Sequence, residues 1–390
     1  MRTTIRSAGL VGALTFGLAL AACSGDDARE SAAPPNAAST TTSTLPATPD
    51  DAWETVDAAS VGLDAAKLAE IAAVAETGKS NCLVVARDGR LAGEWYFRGT
   101  TASTTQNVFS VTKSVSSTLV GIAQDDGDLD IEDPAATWIT EWASTPSDVV
   151  TVRELLSNSS GRQWSPAIDY VELIRVPDRT AFGIGLQQET APGTVWAYNN
   201  SAIQTLQRVV QAATGEDVVD FARRRLFDPL GMADTAMTTD QAGNAQMFQG
   251  LQTTCRDLAR FGVLLLNHGV WGDEQIVSSE WVEAATGRSS TELNAAYGYL
   301  WWLNREGIIG NPLVATSLDA VENPATARGQ LVPGAPEDLF WAIGLGNQVV
   351  QIDPASRTVV VRLGTYEPRP QPPTFGPREA SRVVTEAVTR

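Results

Sequence analysis

Strand-like sequence sits at the two ends of this chain with a long helical stretch between them, and that distribution constrains the fold most. Near the start, "CLVVARDGRLAGEWYF" is two apolar-rich runs around Asp88-Gly89, the composition of a β-hairpin. Strand signals return only at Ala296–Asn304, Asp338–Asp353 and Arg357–Gly364. A lone hairpin is marginal in water, so these distant runs are expected to pair with it in one antiparallel sheet. Helical patterns at Ala65–Glu76 and in the closing "GPREASRVVTEAVTR" predict terminal helices that flank the sheet. The expectation is an α+β domain over 53–390, with a sheet part from about 53–108 and 289–390 and an inserted all-helical part from about 109–288. A cleft between two such parts is a usual place for a site.

The residues before this domain read as a targeting segment. Arg2 and Arg6 precede an apolar run that ends in Leu20-Ala21-Ala22-Cys23. That pattern resembles a bacterial lipobox, which implies a signal peptide over 1–22, lipidation of Cys23 and export to the outer face of the cell membrane. A plain secretory signal cleaved nearby is the alternative. From residue 23 to 52 the chain is rich in Ser, Thr, Ala and Pro, too poor in large apolar groups to fold, and fits a disordered tether. In an exported protein the two remaining cysteines, Cys82 and Cys255, are an even pair where disulfides persist. A Cys82–Cys255 bond is expected, two buried thiols being the alternative.

Composition removes several function classes. The net charge of −18, with Arg223-Arg224-Arg225 as the one run of consecutive basic residues, argues against nucleic acid as a partner. The single histidine, His268, falls in "LLLNHGVWG", which reads as a helix end followed by a glycine cap. A Ser-His-Asp triad or a His-rich metal site would have to use it, and no G-x-S-x-G elbow is present. A serine hydrolase built on this chain needs a base other than histidine.

"NVFSVTKSVSSTLVGIAQ" supplies one. Ser110 and Lys113 are three residues apart at the start of an apolar, small-residue helical run, so they share a helix face. A lysine drawn into a half-buried place loses hydration and becomes available as a base or a charge stabiliser. An ordinary surface pair has the same spelling, so the motif counts only in company.

The company is Tyr198-Asn199-Asn200 in "WAYNNSA", preceded by "VRELLSNSSG" and followed by "FDPLGMADTAM". In that order these motifs resemble the serine β-lactamase-like superfamily, whose nucleophile motif is S-x-x-K. Nearest are the class C branch, family VIII esterases and 6-aminohexanoate-dimer hydrolase. The resemblance runs from about Leu63 to the end of the chain. It implies a β-lactamase/transpeptidase-like fold with Ser110 as nucleophile. Tyr198 would be the general base, with its phenol held acidic by the Lys113 ammonium, and Asn200 would bond Lys113 or the substrate. Backbone N–H groups of Ser110 and Leu345 would form the oxyanion hole.

The chain departs from the family at the third motif. Ala342-Ile343-Gly344 stands where lactamases carry K-T-G or H-x-G, so the cation that grips a substrate carboxylate is missing. Gly344 allows the strand to approach a ligand. Tyr170 and Trp341 are expected on the pocket wall; Trp301 and Trp302 are expected on opposite strand faces and in the core. The implied function is hydrolysis of a small ester, amide or short peptide through an acyl-enzyme, with no metal or organic cofactor. A D-alanyl-D-alanine carboxypeptidase or class C-like β-lactamase is the alternative, and a non-catalytic sensor of cell-wall fragments is a third reading. Oligomeric state is not legible in the sequence.

Overall fold

The computed structural model describes residues 53–319, 323, 326–366 and 375–389. The expected leader, Cys23 and tether lie outside the described residues. Among the described residues no helix is long and apolar enough to cross a membrane.

Helix α1 (Ala65–Thr77) starts where the Asp64 carboxylate accepts from the N–H groups of Ala66 and Lys67. Strands β1 (Ser80–Arg87) and β2 (Arg90–Tyr96) follow. Their two-residue turn has Asp88 at φ 50° and Gly89 at φ 75°, the left-handed pair that matches strand twist. Strands β3 (Trp302–Leu303), β4 (Phe340–Gly344), β5 (Gln348–Asp353) and β6 (Thr358–Gly364) complete one antiparallel sheet in the order β2-β1-β6-β5-β4-β3. The N-terminal hairpin thus joins the C-terminal strands through β1 and β6, with Val84 opposite Val361.

The strand expected over Ala296–Asn304 shrinks to Trp302–Leu303. Gly298 N–H donates to Trp301 O and Leu300 takes φ 62°, so the preceding aromatic run folds into a tight turn. Burial of Tyr297, Tyr299 and Trp301 decides this against strand propensity.

Within the helical middle, α2 (Val111–Asp125) is buried from Val111 to Ala123. Two of its buried serines bond to backbone packed against the helix: Ser114 Oγ donates to Leu300 O and Ser116 Oγ to Met247 O. Helices α3 (Asn200–Gln204) and α4 (Leu206–Thr214) lie in the same part. Helix α5 (Cys255–Leu266) belongs to the sheet instead. A Cβ on its Gly262 would meet Val359 at 2.5 Å, so glycine lets α5 lie close against β6. The other sheet face, marked by Gln351 next to Val350, carries α6 (Pro377–Arg382), where Ser381 Oγ donates to Gln351 Oε1. A Cys82–Cys255 disulfide ties β1 to the start of α5. Across a separation of 173 residues, such a link restricts the unfolded chain strongly. His268 lies past the end of α5 at φ 51°, exposed and away from the cleft described next.

Candidate active site

Ser110 caps the N-terminus of α2, where the helix dipole favours negative charge. The chain reaches it through Phe109 at φ 49°, a conformation that costs a phenylalanine about 1–2 kcal/mol. Local bonds hold that turn: Phe109 N–H donates to Asn107 Oδ1 at 2.7 Å, and Thr112 Oγ1 donates to Phe109 O at 2.6 Å. One helical turn on, Lys113 is buried, with Nζ 2.8 Å from Ser110 Oγ and 2.9 Å from Phe248 O.

Among the described residues no carboxylate forms an ion pair with the Lys113 amine, and burial pushes it down to about 7, opposed by the more distant Asp169. Its Nζ lies 4.7 Å from the Tyr198 ring centre. Interactions with the Ser110 hydroxyl and the Trp302 indole favour the ionised Tyr198 phenol, against the larger effect of burial. The sequence led to an acidic phenol here, and the burial of Tyr198 argues the other way. Burial holds Tyr198 up at about 12, so the phenol keeps its proton and the amine is the group poised to lose one.

Tyr198 is aimed by its neighbours. Asn158, at φ 57°, accepts Asn199 N–H on Oδ1 at 3.1 Å and Ala197 N–H on its carbonyl at 2.9 Å. From the other side the buried Asp169 carboxylate accepts the N–H groups of Asn200 and Ser201 and the Ser201 hydroxyl. Asn200 makes no bond to Lys113, whose partners are Ser110 and Phe248. Among the described residues its buried side-chain carbonyl has no partner. Tyr170 donates to Pro312 O at 3.2 Å.

Opposite, the end of β4 closes the site. A Cβ on Gly344 would fall 2.2 Å from Val108 O, so only glycine permits this approach to the turn before Ser110. Among the described residues the N–H groups of Ser110 and Leu345 find no acceptor. The hairpin that carries Leu345 is fixed from behind by buried Arg362, which donates to Gly346 O at 2.8 Å and Asn347 O at 2.9 Å.

These groups border one cleft of about 510 Å³ that contains Ser110, Tyr170, Tyr198, Asn200, Gly344 and Leu345. Trp341 is not part of it. It is fully buried, and its indole N–H donates to Gln351 Oε1 at 2.9 Å beneath α6, because its strand face is the one the C-terminal helix covers. Trp302 takes the place expected of Trp341: Trp301 stacks in the core on Phe261, while Trp302 stacks on Tyr198 and lines the cleft. Alternation along the strand predicts one tryptophan on each face; the neighbouring β4 motif was the signal for which face mattered. Asp169 and Phe248 also escaped the sequence reading, since only tertiary contact relates them to Lys113. Among the described residues, no group of three or more His, Cys, Asp or Glu side chains is arranged to hold a metal ion.

A family model described as Beta-lactamase matches residues 67–384. A 6-aminohexanoate-dimer hydrolase of Paenarthrobacter ureafaciens is 24% identical over 348 residues, covering 84% of this chain and 81% of that protein. Penicillin-binding protein 4 of Amycolatopsis lactamdurans is 33% identical over 163 residues, 39% of this chain and 42% of that one. Among solved structures, a beta-lactamase from Mycobacterium bovis superposes with a TM-score of 0.56 at 17% identity, over 79% of this chain and 94% of that one. With a family match over most of its length and the β-lactamase/transpeptidase-like fold around an S-x-x-K helix, the chain belongs to the beta-lactamase family of serine hydrolases.

Proposed function

We propose that the protein is an exported hydrolase that cleaves an ester or amide bond through an acyl-enzyme on Ser110. The observation that carries this reading is the buried, carboxylate-free Lys113 amine 2.8 Å from Ser110 Oγ. As a neutral amine it accepts the Ser110 proton while Oγ bonds to the carbonyl carbon. The N–H groups of Ser110 and Leu345 receive the developing oxyanion. When the tetrahedral centre collapses, Tyr198 gives its proton to the leaving alcohol or amine and is resupplied by the Lys113 ammonium. Water then enters, Lys113 and Tyr198 take its proton in the reverse relay, and the acid leaves with Ser110 restored.

Amide cleavage is the activity named for the Paenarthrobacter relative, which supports the amide side of the reading. Against a β-lactamase or D,D-carboxypeptidase stands Ala342 in the third motif: among the described residues lining the cleft, none is Lys, Arg or His to grip a substrate carboxylate. Export and anchoring through Cys23 rest on the leader sequence, and the Ser/Thr/Pro-rich stretch would hold the domain off the membrane.

The test is the pH dependence of kcat/KM on a p-nitrophenyl ester, with nitrocefin and a D-Ala-D-Ala peptide as competitors for the assignment. Lys113 must be neutral to act, so activity is low below its folded pKa and rises as pH passes upward through it. The expected acid limb has its midpoint near 7, and Tyr198 sets no alkaline limit below about 12. A limb midpoint near 10 would remove the proton relay described here. Preferential turnover of nitrocefin or the peptide would reassign the protein to cell-wall chemistry.

A further inference from the structure

Large apolar side chains left in water gather at the mouth of the Ser110 cleft. Exposed residues include Val171 (41%), Ile174 (44%), Leu313 (44%), Val314 (58%), Leu345 (53%) and Tyr366 (42%). Ile174 and Leu345 line the cleft itself. Val171 follows Tyr170, whose hydroxyl donates to Pro312 O, and Leu313 and Val314 follow Pro312 directly. Tyr366 packs edge-on to Phe109 at 5.9 Å, next to the nucleophile. Four separate stretches of chain supply these residues, so the fold assembles the collar. Its place is selective too: among the described residues only Val149 and Leu318 are further exposed apolar groups of this size.

On a chain of net charge −18, this set of exposed apolar residues around the cleft marks a binding surface. The interior continues it, with Phe109, Phe248, Trp302 and Ile343 as walls. The polar lining is Ser110, Asn107, Gln249, the Tyr170 and Tyr198 phenols, Asp169, and Asn200, whose unpartnered side-chain carbonyl can accept from an N–H. The lining includes buried Asp169 and no cation, so a free carboxylate or phosphate beside Ser110 is disfavoured.

We infer that the substrates are esters or amides whose acyl part carries a long aliphatic chain, which leaves the cleft across the collar formed by 171–174, 313–314, Leu345 and Tyr366. This rests on the reading of the cleft as a hydrolase site. Each methylene moved from water onto an apolar surface is worth up to about fourfold in binding. A chain long enough to cross the collar therefore gains where acetate cannot.

The experiment is a series of p-nitrophenyl esters from acetate to laurate, assayed below their critical micelle concentrations with the full mature domain. From butyrate to octanoate, kcat/KM is expected to rise about tenfold or more, in line with that per-methylene gain. In a Leu313→Gln/Val314→Gln variant the laurate-to-acetate ratio is expected to fall by about the same factor. A flat or falling series overturns the inference, as does a rise that survives in the rim variant. A dimer in sedimentation that covers the rim, with no chain-length effect, assigns the collar to a second copy and overturns it as well. Binding of the same esters to Ser110→Ala reports the chain-length preference without turnover. No hydrolysis by the unaltered protein, with that preference intact, therefore counts against the catalytic reading, and hydrolysis without the preference counts against this one.

Discussion

Ser110→Ala is expected to lower kcat/KM for ester hydrolysis by about 10⁵-fold or more while the protein remains folded. The size of the loss follows from how the site is built. Ser110 is the only hydroxyl in the lining that meets both the buried amine and the oxyanion donors, with Lys113 Nζ at 2.8 Å. Tyr198 shares the site, but burial keeps its phenol protonated up to about 12, so it cannot substitute as a nucleophile near neutral pH. Fold loss does not account for such an effect. Ser110 offers no side-chain cap to α2, and the turn before it is held by Asn107 and Thr112. The variant should melt within a few degrees of the parent. Residual turnover within about tenfold of the parent would place the nucleophile elsewhere.

The second large effect is Lys113→Met, for which a loss of about 10³-fold or more in kcat/KM is expected. Methionine fills a similar volume but cannot take the Ser110 proton. Its consequence for stability runs the other way. A buried lysine whose pKa falls from 10.5 to about 7 weakens the fold as pH drops through that window, because the unfolded chain binds the proton more readily. Removing the amine removes that penalty, so the variant is expected to melt at or above the parent temperature at pH 7. Lower activity together with equal or higher thermal stability separates a chemical role from a structural one. The pH profile supplies the complementary readout, since the acid limb near 7 should vanish from whatever activity remains. Unchanged activity in Lys113→Met would leave Tyr198 as the base and overturn the assignment of the proton relay.

Much of the architecture was legible because its signals are local. The Asp88-Gly89 turn, the apolar runs that became β4 to β6, and the helical periodicity of α1 each identify themselves. Ser110 and Lys113 are one helical turn apart, so their meeting needs only α2. Tyr198 needed the family pattern as well, because nothing local ties it to that helix. What the sequence could not carry is burial. A phenol beside a lysine reads as acidified, yet the structure removes water from both, and desolvation moves each pKa toward its neutral form. The same limit explains the exchange of tryptophans. Alternation puts Trp301 and Trp302 on opposite faces, but whether a face meets a helix or a cleft depends on what packs there. Trp341 lies under α6, and Trp302 against Tyr198. Asp169 was invisible because an acid adjacent to a candidate aromatic looks like solvent-facing charge. Only the fold shows it taking the N–H groups that begin α3.

The most direct test of the central claim is covalent. The purified protein, treated with a fluorophosphonate and digested, is expected to carry one phosphonyl adduct, on Ser110. The labelling rate should rise with pH around 7 as the Lys113 amine loses its proton. Labelling should be lost in Ser110→Ala and slowed in Lys113→Met. An adduct on another residue, or no adduct across the pH range, would contradict an activated Ser110 and with it the hydrolase assigned to this cleft.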